Sequence, residues 1–451
     1  MKQKNKNIFF IKIPSYLLIL LPVLLISGPF LSDLAISLIS IIFLFNSYLN
    51  KKLMKYYKNF FFYFFFIFWL YLLLNSILNN FNEDSFRIAL TYFRFFIFVI
   101  ASWYILDKNK KVLLHLFYSF FICFFALIID GYYQFFFNEN LLGYKMQLNR
   151  ISSFFGDELI MGSYLSRLFP IFFGLYVFFY KQISKNYSYL LIVIFVLTES
   201  LVFLSGERSA LFYLNLSTIF IIVMIKDFKR IRIFTLVLSL ILIVLITSID
   251  STYKKRIVDN TLDQMGIVLL NQKNQDLSKD NNKKQLSNFN LFSEQHTAHY
   301  KSSLKIFSDN FLFGIGIKNF RNFCDKKPYN GPWACSSHSH NSYIQLLAET
   351  GIVGFLFIFY LFTLLIYYSL IYLNNYNKRK QILNNLEVCL LSSILISLWP
   401  IVPTGNFFNN WLSIIYFFPC GILLWSLNKR KKIYVDKLMI KKLIKIVTLS
   451  K

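Results

Sequence analysis

Histidine, acidic residues and nucleotide-binding motifs are scarce or absent in this sequence. Only 5 of its 451 residues are His, and 22 Asp and Glu stand against 48 Lys and Arg. The chain has no Gly-x-x-x-x-Gly-Lys-Ser/Thr loop, which argues against ATP chemistry. It also lacks the Asp-x-Asp pair that holds a metal for a nucleotide-sugar donor and the His-Glu-x-x-His helix of metalloproteases. Few titratable groups remain for chemistry, so their positions are informative.

Apolar residues, by contrast, are abundant. The chain is 56% hydrophobic and contains 54 Phe, whereas soluble domains average about 45–50% apolar residues. A run of about 20 apolar residues crosses a bilayer. We therefore predict an all-α polytopic membrane protein with about twelve transmembrane helices, near 8–27, 31–49, 59–78, 87–106, 112–137, 160–180, 187–205, 209–225, 231–249, 350–373, 383–402 and 409–427.

The net charge of +26 could suggest a nucleic-acid partner, but the positions of the charges argue against one. Lys and Arg cluster in alternate short connections, as in Lys51, Lys52, Lys55 and Lys58, which is the pattern of membrane topology. This bias predicts that both termini are cytoplasmic. The first apolar run lacks a small-x-small cleavage site, so we interpret it as a retained span.

The predicted spans divide the chain into four parts: a membrane bundle at 1–249, a large outward loop at 250–349, a second bundle at 350–428 and a basic tail at 429–451. Residues 271–290 of the loop are rich in Asn, Gln, Lys and Ser and are expected to be irregular. The loop also carries predicted short helices. One has Tyr300, Leu304 and Phe307 on a single face, and another begins at an Asn341 N-cap and ends near Gly351.

Four of the five histidines lie between His296 and His340. His338 and His340 precede the predicted helix with Tyr343, Gln345 and Glu349, and a membrane span follows directly. We expect Asn341, Tyr343 and Glu349 to take part in substrate binding. An imidazole with a pKa near 6.5 suits general-base catalysis at neutral pH. The alternative is that both are ordinary surface histidines. We favour function, more strongly for His340 than for His338.

Several arginines are candidates for binding an anion. Arg208 follows Ser205-Gly-Glu at a turn between two spans, where positive charge is otherwise rare. Arginine grips phosphate bidentately, although Arg208 could also be a snorkelling flank residue. Arg94 lies inside the fourth predicted span, where a charge usually faces a cavity or a partner. Arg150 and Arg321 lie in outward connections, where a solvated charge is the alternative.

Cys324 and Cys335 both fall in the outward loop. Outside the cytoplasm, an oxidising compartment permits a disulfide between them. The alternative is a metal site formed by Cys335, His338 and His340, which lacks ideal spacing and a fourth ligand. We favour the disulfide, and spacing alone does not decide between the two.

The region from His296 to Gly354 resembles the O-antigen ligase/polymerase family of bacterial membrane glycosyltransferases. The resemblance rests on His296-Thr-Ala-His-Tyr-Lys-Ser-Ser-Leu-Lys-Ile-Phe, followed by Gly314-Ile-Gly and Phe320-Arg321. It also rests on His338-Ser-His340-Asn341 leading into Tyr343, Gln345, Glu349, Gly351 and Gly354, and on Ser205-x-x-Arg208. The layout of about twelve spans matches as well.

That resemblance implies a glycan transfer that needs neither metal nor ATP, at the periplasmic face of the bacterial inner membrane. The donor would be a glycan on undecaprenyl pyrophosphate. The acceptor would be lipid A–core for a ligase, or a second lipid-linked glycan for a polymerase. His340 would be the base and Arg208 would bind the pyrophosphate. Tyr300 stands where the family has Trp, and His296 stands near the position of a second Arg. Arg321 is a candidate substitute.

Two other functions are compatible with the sequence. A transporter or flippase should carry ionisable groups near the bilayer midplane in broken helices. This chain places them mainly in outward loops, with Arg94 as the main exception, so a transporter is the weaker hypothesis. A structural or sensory protein whose loop only binds glycan is the other.

Overall fold

The computed structural model describes residues 8–79, 82–264, 292–377 and 383–448. Within these ranges the regular elements are helical, and β-type pairing is limited to two isolated bridges, Glu139 with Lys145 and Gln147 with Arg150. Ten of the described helices are long and apolar enough to cross a membrane. The prediction of an all-α polytopic membrane protein is confirmed.

The helices before the long loop are α1 to α10. Their bounds are Ile13–Ile26, Pro29–Leu49, Phe60–Leu78, Glu83–Thr91, Phe93–Lys108, Lys111–Phe137, Met161–Phe179, Lys185–Leu204, Arg208–Met224 and Lys229–Ile249. The long loop carries α11 to α14, and the remaining bundle contains α15 to α17. Their bounds are Ser251–Lys254, Asn260–Gln264, Glu294–Asp309, Phe320–Phe323, Ser342–Asn377, Asn385–Ser397 and Asn410–Thr448. Short 3-10 or π turns lie at Ile8–Lys12, Lys51–Tyr56, Ser153–Phe155, Tyr180–Gln182 and Lys255–Asp259.

Each of the twelve predicted spans contains a helix, and α4 with α5 forms one candidate crossing, Glu83–Lys108. Two helices are shorter than a full span: α9 has 17 residues and α16 has 13. Both pack against α7.

Small residues bring α16 close to its neighbours. A Cβ built on Gly174 of α7 would lie 2.7 Å from the Cβ of Cys389, so only glycine fits there. The hydroxyls of Ser392 and Ser393 donate to the carbonyls of Ser217 and Arg167, each at 3.1 Å. Small residues and interhelical hydrogen bonds of this kind hold helices together in lipid.

The buried face of α13 differs from the predicted one. The buried side chains are His299, Tyr300, Ser302, Ser303 and Ile306, whereas Leu304 is 44% exposed. The assumption of an apolar face was wrong because α13 packs on a polar segment: the Ser303 hydroxyl donates to the Ser339 hydroxyl at 2.7 Å. The predicted irregular stretch 271–290 lies outside the described residues.

Helix α15 begins as predicted and is broken at Gly351. The amides of Tyr343 and Ile344 donate to the Asn341 side-chain oxygen at 2.9 and 3.1 Å, which is an N-cap. At Gly351 the backbone leaves the helical region, with φ 61° and ψ −170°. A Cβ there would collide with the backbone of Leu312, so this position requires glycine.

The break frees backbone groups that the preceding loop satisfies. The amides of Ile315 and Gly316 donate to the carbonyls of Ala348 and Glu349 at 3.0 and 2.9 Å, and the Ile352 amide donates to the Phe311 carbonyl at 2.9 Å. These bonds attach the loop to the helix that carries the His338–Asn341 segment.

A buried ion pair connects α8 and α10. The Arg232 guanidinium contacts the Glu199 carboxylate and donates to the hydroxyls of Thr218 and Thr235, and the Ser239 hydroxyl donates to Glu199 at 2.7 Å. Side-chain exposure is 0% for Arg232 and 4% for Glu199. Removing one partner of such a pair leaves an uncompensated buried charge.

We therefore expect Glu199→Gln to destabilise the folded protein by about 3–5 kcal/mol. Thermal unfolding of the purified protein in detergent checks this. The matched control is Asp84→Asn, since Asp84 pairs with Arg87 at 2.9 Å while both side chains are at least 75% exposed. Asp84→Asn should leave the unfolding temperature almost unchanged, and equal effects of the two changes would contradict the expectation.

Candidate functional site

A cavity of about 860 Å³ lies where the long loop meets the turns between helices. Six cationic side chains, three imidazoles and two carboxylates line it among the described residues. They are Arg150, Arg167, Arg208, Arg256, Arg321, Lys318, His296, His338, His340, Glu158 and Glu207. The cavity is therefore strongly positive and suits an anionic ligand.

Six of the residues selected from the sequence meet in this cavity: His340, His338, Arg208, Arg321, Arg150 and His296. They come from separate segments of the chain between residues 150 and 340. The predicted residues Arg94, Asn341, Tyr343 and Glu349, and the two loop cysteines, do not line it.

The histidines form one cluster. The centre of the His340 ring lies 4.1 Å from that of His338, 5.1 Å from that of His299 and 5.4 Å from that of His296. His299 lies behind this surface, and its Nδ1 is 3.3 Å from the carbonyl of Ala334. Three of these rings were predicted from the sequence to be functional, whereas His299 joins the cluster only through the packing of α13.

The backbone of His340 is held in a rarely occupied conformation, with φ 53°. A non-glycine residue at positive φ persists only where its surroundings fix it. Here the His340 carbonyl accepts hydrogen bonds from the Thr404 amide at 2.9 Å and from the Tyr300 hydroxyl at 3.4 Å. Two other segments thus hold the backbone of His340 in this conformation.

The surroundings of His340, His338 and His296 favour the neutral form of each imidazole. Burial, followed by the neighbouring His338, His296 and His299, lowers the pKa of His340 to about 3. Burial likewise lowers the pKa of His338 to about 4. Burial lowers the pKa of His296 as well, and His299 and Arg208 add to this effect. A neutral imidazole has a free lone pair and can accept a proton.

Arg208 begins α9 at the cavity wall. Its two terminal nitrogens donate to the Gln264 side-chain oxygen at 2.6 Å and to the Arg256 carbonyl at 3.1 Å. None of the ion pairs in the described part of the chain includes Arg208. The guanidinium is therefore oriented by neutral groups, and no carboxylate among the described residues offsets its charge.

Arg150 and Arg256 converge on the same turn. Arg150 donates to the carbonyls of Ser205 and Leu159 at 3.0 and 2.9 Å, and Arg256 donates to that of Gly206 at 3.4 Å. A Cβ on Gly206, whose φ is 68°, would lie 2.7 Å from the Arg256 Nε, so glycine lets the guanidinium approach. We call Arg150, Arg208 and Arg256 the arginine cluster.

Glu207 stabilises the start of α7. Its carboxylate accepts from the Gly162 amide at 2.7 Å and from the Ser163 hydroxyl at 2.8 Å. A carboxylate is favoured at a helix N-terminus. Burial raises the pKa of Glu207. This role could not be predicted from the sequence, because Glu207 and Gly162 are 45 positions apart.

Arg94 is part of the bundle and not of the cavity wall. Its Nε donates to the Asp33 carboxylate at 2.8 Å, and Asp33 also accepts from the Asn410 amide group at 3.1 Å. Arg94 thus joins α5 to α2 and to the start of α17. Arg94 was selected because it is a charge within an apolar run, and in the structure that charge belongs to an ion pair between helices.

Asn341, Tyr343 and Glu349 hold the histidine segment in place. Besides capping α15, Asn341 donates to the carbonyl of Pro400 at 2.7 Å, and the Tyr343 hydroxyl donates to that of Leu398 at 2.6 Å. Glu349 is fully buried and accepts from Gln345 at 2.9 Å and from the Phe320 amide at 3.4 Å. These residues position the site without reaching the cavity.

Three cationic lining residues were not selected from the sequence: Arg167, Arg256 and Lys318. Arg167 lies inside an apolar run, which is the same signal that selected Arg94. Burial, together with nearby Arg321, lowers the pKa of Lys318. The crowding of positive charge could be found only once the fold was known.

Cys324 and Cys335 are bonded to each other, with Cα atoms 4.9 Å apart. Within the described ranges, the group of three neighbouring residues that could hold a metal consists of these cysteines and Asp325. The structure therefore has the predicted disulfide, and the sulfur of Cys335 is bonded to Cys324 instead of forming the alternative metal site with His338 and His340.

Comparison with known proteins adds one finding. No curated protein matches the chain. A family model described as O-antigen ligase matches residues 190–359. That range contains Arg208, Arg256 and the four clustered histidines, whereas Arg150 and Arg167 precede it. The match agrees with the resemblance seen in the His338–Gly354 motif: residues 190–359 of this chain are similar to the O-antigen ligase family.

Proposed function

We propose that this protein transfers a glycan from undecaprenyl pyrophosphate to lipid A–core at the periplasmic face of the bacterial inner membrane. The observation that carries the proposal is that one cavity is lined both by His296, His338 and His340, whose surroundings favour neutral imidazoles, and by the arginine cluster. The first can accept a proton, and the second can hold an anion. The family match supports lipid-linked glycans as the substrate class.

The arginine cluster suits the pyrophosphate of the donor. As the glycosidic bond to pyrophosphate breaks, negative charge develops on the leaving oxygen, and fixed positive groups stabilise it. Guanidinium groups bind phosphate oxygens in a bidentate manner. In this proposal they provide the positive charge, and the reaction needs neither a metal ion nor ATP.

His340 is the proposed base. An imidazole nitrogen takes the proton of the acceptor hydroxyl while that oxygen forms a bond to the anomeric carbon. The bond from this carbon to the pyrophosphate breaks, and undecaprenyl pyrophosphate leaves as an anion. Attack opposite the leaving group inverts the anomeric configuration. The negative charge of the bound donor raises the pKa of His340, which makes the imidazole a better base in the complex.

The acceptor distinguishes a ligase from a polymerase of the same family. A polymerase would use a second lipid-linked glycan in place of lipid A–core, with the same base and the same leaving group. The cavity geometry fits both acceptors, so the choice is made by experiment.

We expect His340→Ala to reduce glycan transfer by about 10²–10⁴-fold, because a general base contributes this much to rate. The measurement is transfer of a labelled glycan by purified protein in nanodiscs, and thermal unfolding shows that the variant is folded. The matched control is His115→Ala, since His115 lies on α6 and contacts the Lys111 carbonyl at 2.8 Å, outside the cavity. Transfer by a folded His340→Ala variant at the wild-type rate would rule out this base.

The lowered pKa of His340 sets the pH dependence. Protonation removes the base, so transfer falls as the pH drops through the pKa of this imidazole. Since kcat/KM for the donor reports the free enzyme and the pKa there is about 3, we expect no acidic limb between pH 5 and 8. The acidic limb of kcat should lie at higher pH than that of kcat/KM. The proposed low pKa of His340 would be contradicted if kcat/KM of the wild type fell on the acidic side of about pH 6.5 and this fall were absent from the His338→Gln and His340→Gln variants.

Deletion of the gene followed by gel analysis of surface glycan separates the two acceptors. Loss of a ligase leaves full-length glycans on the lipid carrier and none on lipid A–core. Loss of a polymerase leaves single units attached to lipid A–core. A normal glycan profile would argue against both.

A further inference from the structure

Arg167 is a buried guanidinium in the wall of the same cavity. It lies on α7, and the residue is 2% exposed. A charge inside a membrane-spanning segment usually faces a cavity and has a partner. Neither the sequence analysis nor the family match assigns a role to this residue, which precedes the matched range.

The guanidinium is poorly satisfied by protein. Its Nε and Nη1 have no hydrogen-bond partner among the described residues, and no ion pair in that part of the chain includes it. Two aromatic rings make cation–π contacts with it: the guanidinium carbon lies 4.4 Å from the ring centre of Tyr213 and 5.6 Å from that of Tyr416.

Two other buried arginines in the bundle each have a carboxylate partner, although the Nε of Arg232 also has no hydrogen-bond partner among the described residues. Arg94 has the Asp33 carboxylate at 2.8 Å, and Arg232 has that of Glu199. Neither lines the cavity. The buried arginine that faces the cavity is the one that lacks a carboxylate, which indicates that an anion in the cavity is its partner.

Depth along α7 indicates which anion. Ser163 contacts Glu207 beside the arginine cluster, and Arg167 is one helical turn further along α7. Arg167 follows Met161, the first residue of α7, by six residues, which is about 9 Å along the axis at 1.5 Å per residue. It therefore lies deeper in the candidate span Met161–Gln182 than the arginine cluster does.

A polyprenyl pyrophosphate enters such a cavity with its chain in the bilayer and its glycan outside. Its two phosphates then lie at different depths. We propose that Arg167 binds the phosphate next to the lipid chain, while the arginine cluster binds the phosphate next to the sugar. The inference rests on the proposed function and adds to it a division of the pyrophosphate between two sets of cations.

The alternative is that Arg167 is a structural cation held by the rings of Tyr213 and Tyr416 alone. Cation–π contacts stabilise a guanidinium without any ligand. The two roles differ in what removal of the charge does to the empty protein and to its affinity for phosphate.

The experiment measures binding to the purified full-length protein in nanodiscs. The probes are undecaprenyl monophosphate, which carries only the lipid-proximal phosphate, undecaprenyl pyrophosphate and inorganic pyrophosphate. We expect Arg167→Met to weaken binding of both lipids by at least about tenfold, as for the loss of a hydrogen-bonded charge. Arg208→Met should weaken binding of undecaprenyl pyrophosphate and leave the monophosphate nearly unaffected. Inorganic pyrophosphate shows whether the anion binds without its chain.

Three controls keep the result specific. Arg167→Lys retains the charge but loses the bidentate geometry, so it should bind with intermediate affinity and serves as the test if the Met variant does not fold. Arg87→Met removes an exposed arginine and should bind like wild type. Without ligand, Arg167→Met should unfold at the wild-type temperature or higher, whereas Arg232→Met should unfold at a lower one.

Each outcome decides a different point. If the wild-type protein binds neither lipid, the proposed function fails and this inference fails with it. If the wild type binds both and Arg167→Met binds the monophosphate equally well, only this inference fails. The same holds if Arg167→Met unfolds as early as Arg232→Met, since Arg167 would then be a structural cation.

Discussion

The break in α15 at Gly351 is the constraint on which the functional end of the molecule depends. It exposes the carbonyls of Ala348 and Glu349, and the Phe311–Gly316 loop satisfies them with its own amides. Because no side chain fits at Gly351, the loop backbone can lie directly against the helix. The same helix begins at the Asn341 cap, one residue after His340. A few backbone hydrogen bonds therefore connect a membrane-spanning helix, the long loop and the histidine cluster.

Charge in the cavity is distributed unevenly, and that imbalance determines its chemistry. Six cations face two carboxylates among the described residues, and Glu207 is already engaged with the start of α7. The surplus of positive charge favours an anion and, with burial, disfavours protonated imidazole. The surplus of positive charge, together with burial, therefore favours the neutral form of His340. Arg208 contributes to this surplus, since it has no ion-pair partner among the described residues. A bound pyrophosphate would satisfy the cations and strengthen the base together.

The candidate site was predictable where its signal was local. His338, His340 and Arg208 belong to short motifs in which a polar residue stands beside an apolar run, and all three line the cavity. Arg94 and Arg167 show what a local sequence signal cannot predict. Each is an arginine within an apolar run, so sequence gives them the same signal. One faces a carboxylate 61 positions away and the other faces the cavity, a difference that lies entirely in the packing of helices.

Sequence alone was enough to predict the fold class, a helix within each of the twelve predicted spans, the Asn341 cap and a glycine near the end of the first part of α15. Each follows from hydropathy or from backbone chemistry over a few neighbouring residues, which is independent of the rest of the fold. Tertiary structure alone decided which face of α13 is buried, which cations meet around Gly206 and how far burial lowers the pKa of His340. These depend on contacts between segments distant in sequence, because burial and electrostatic potential are sums over everything nearby in space.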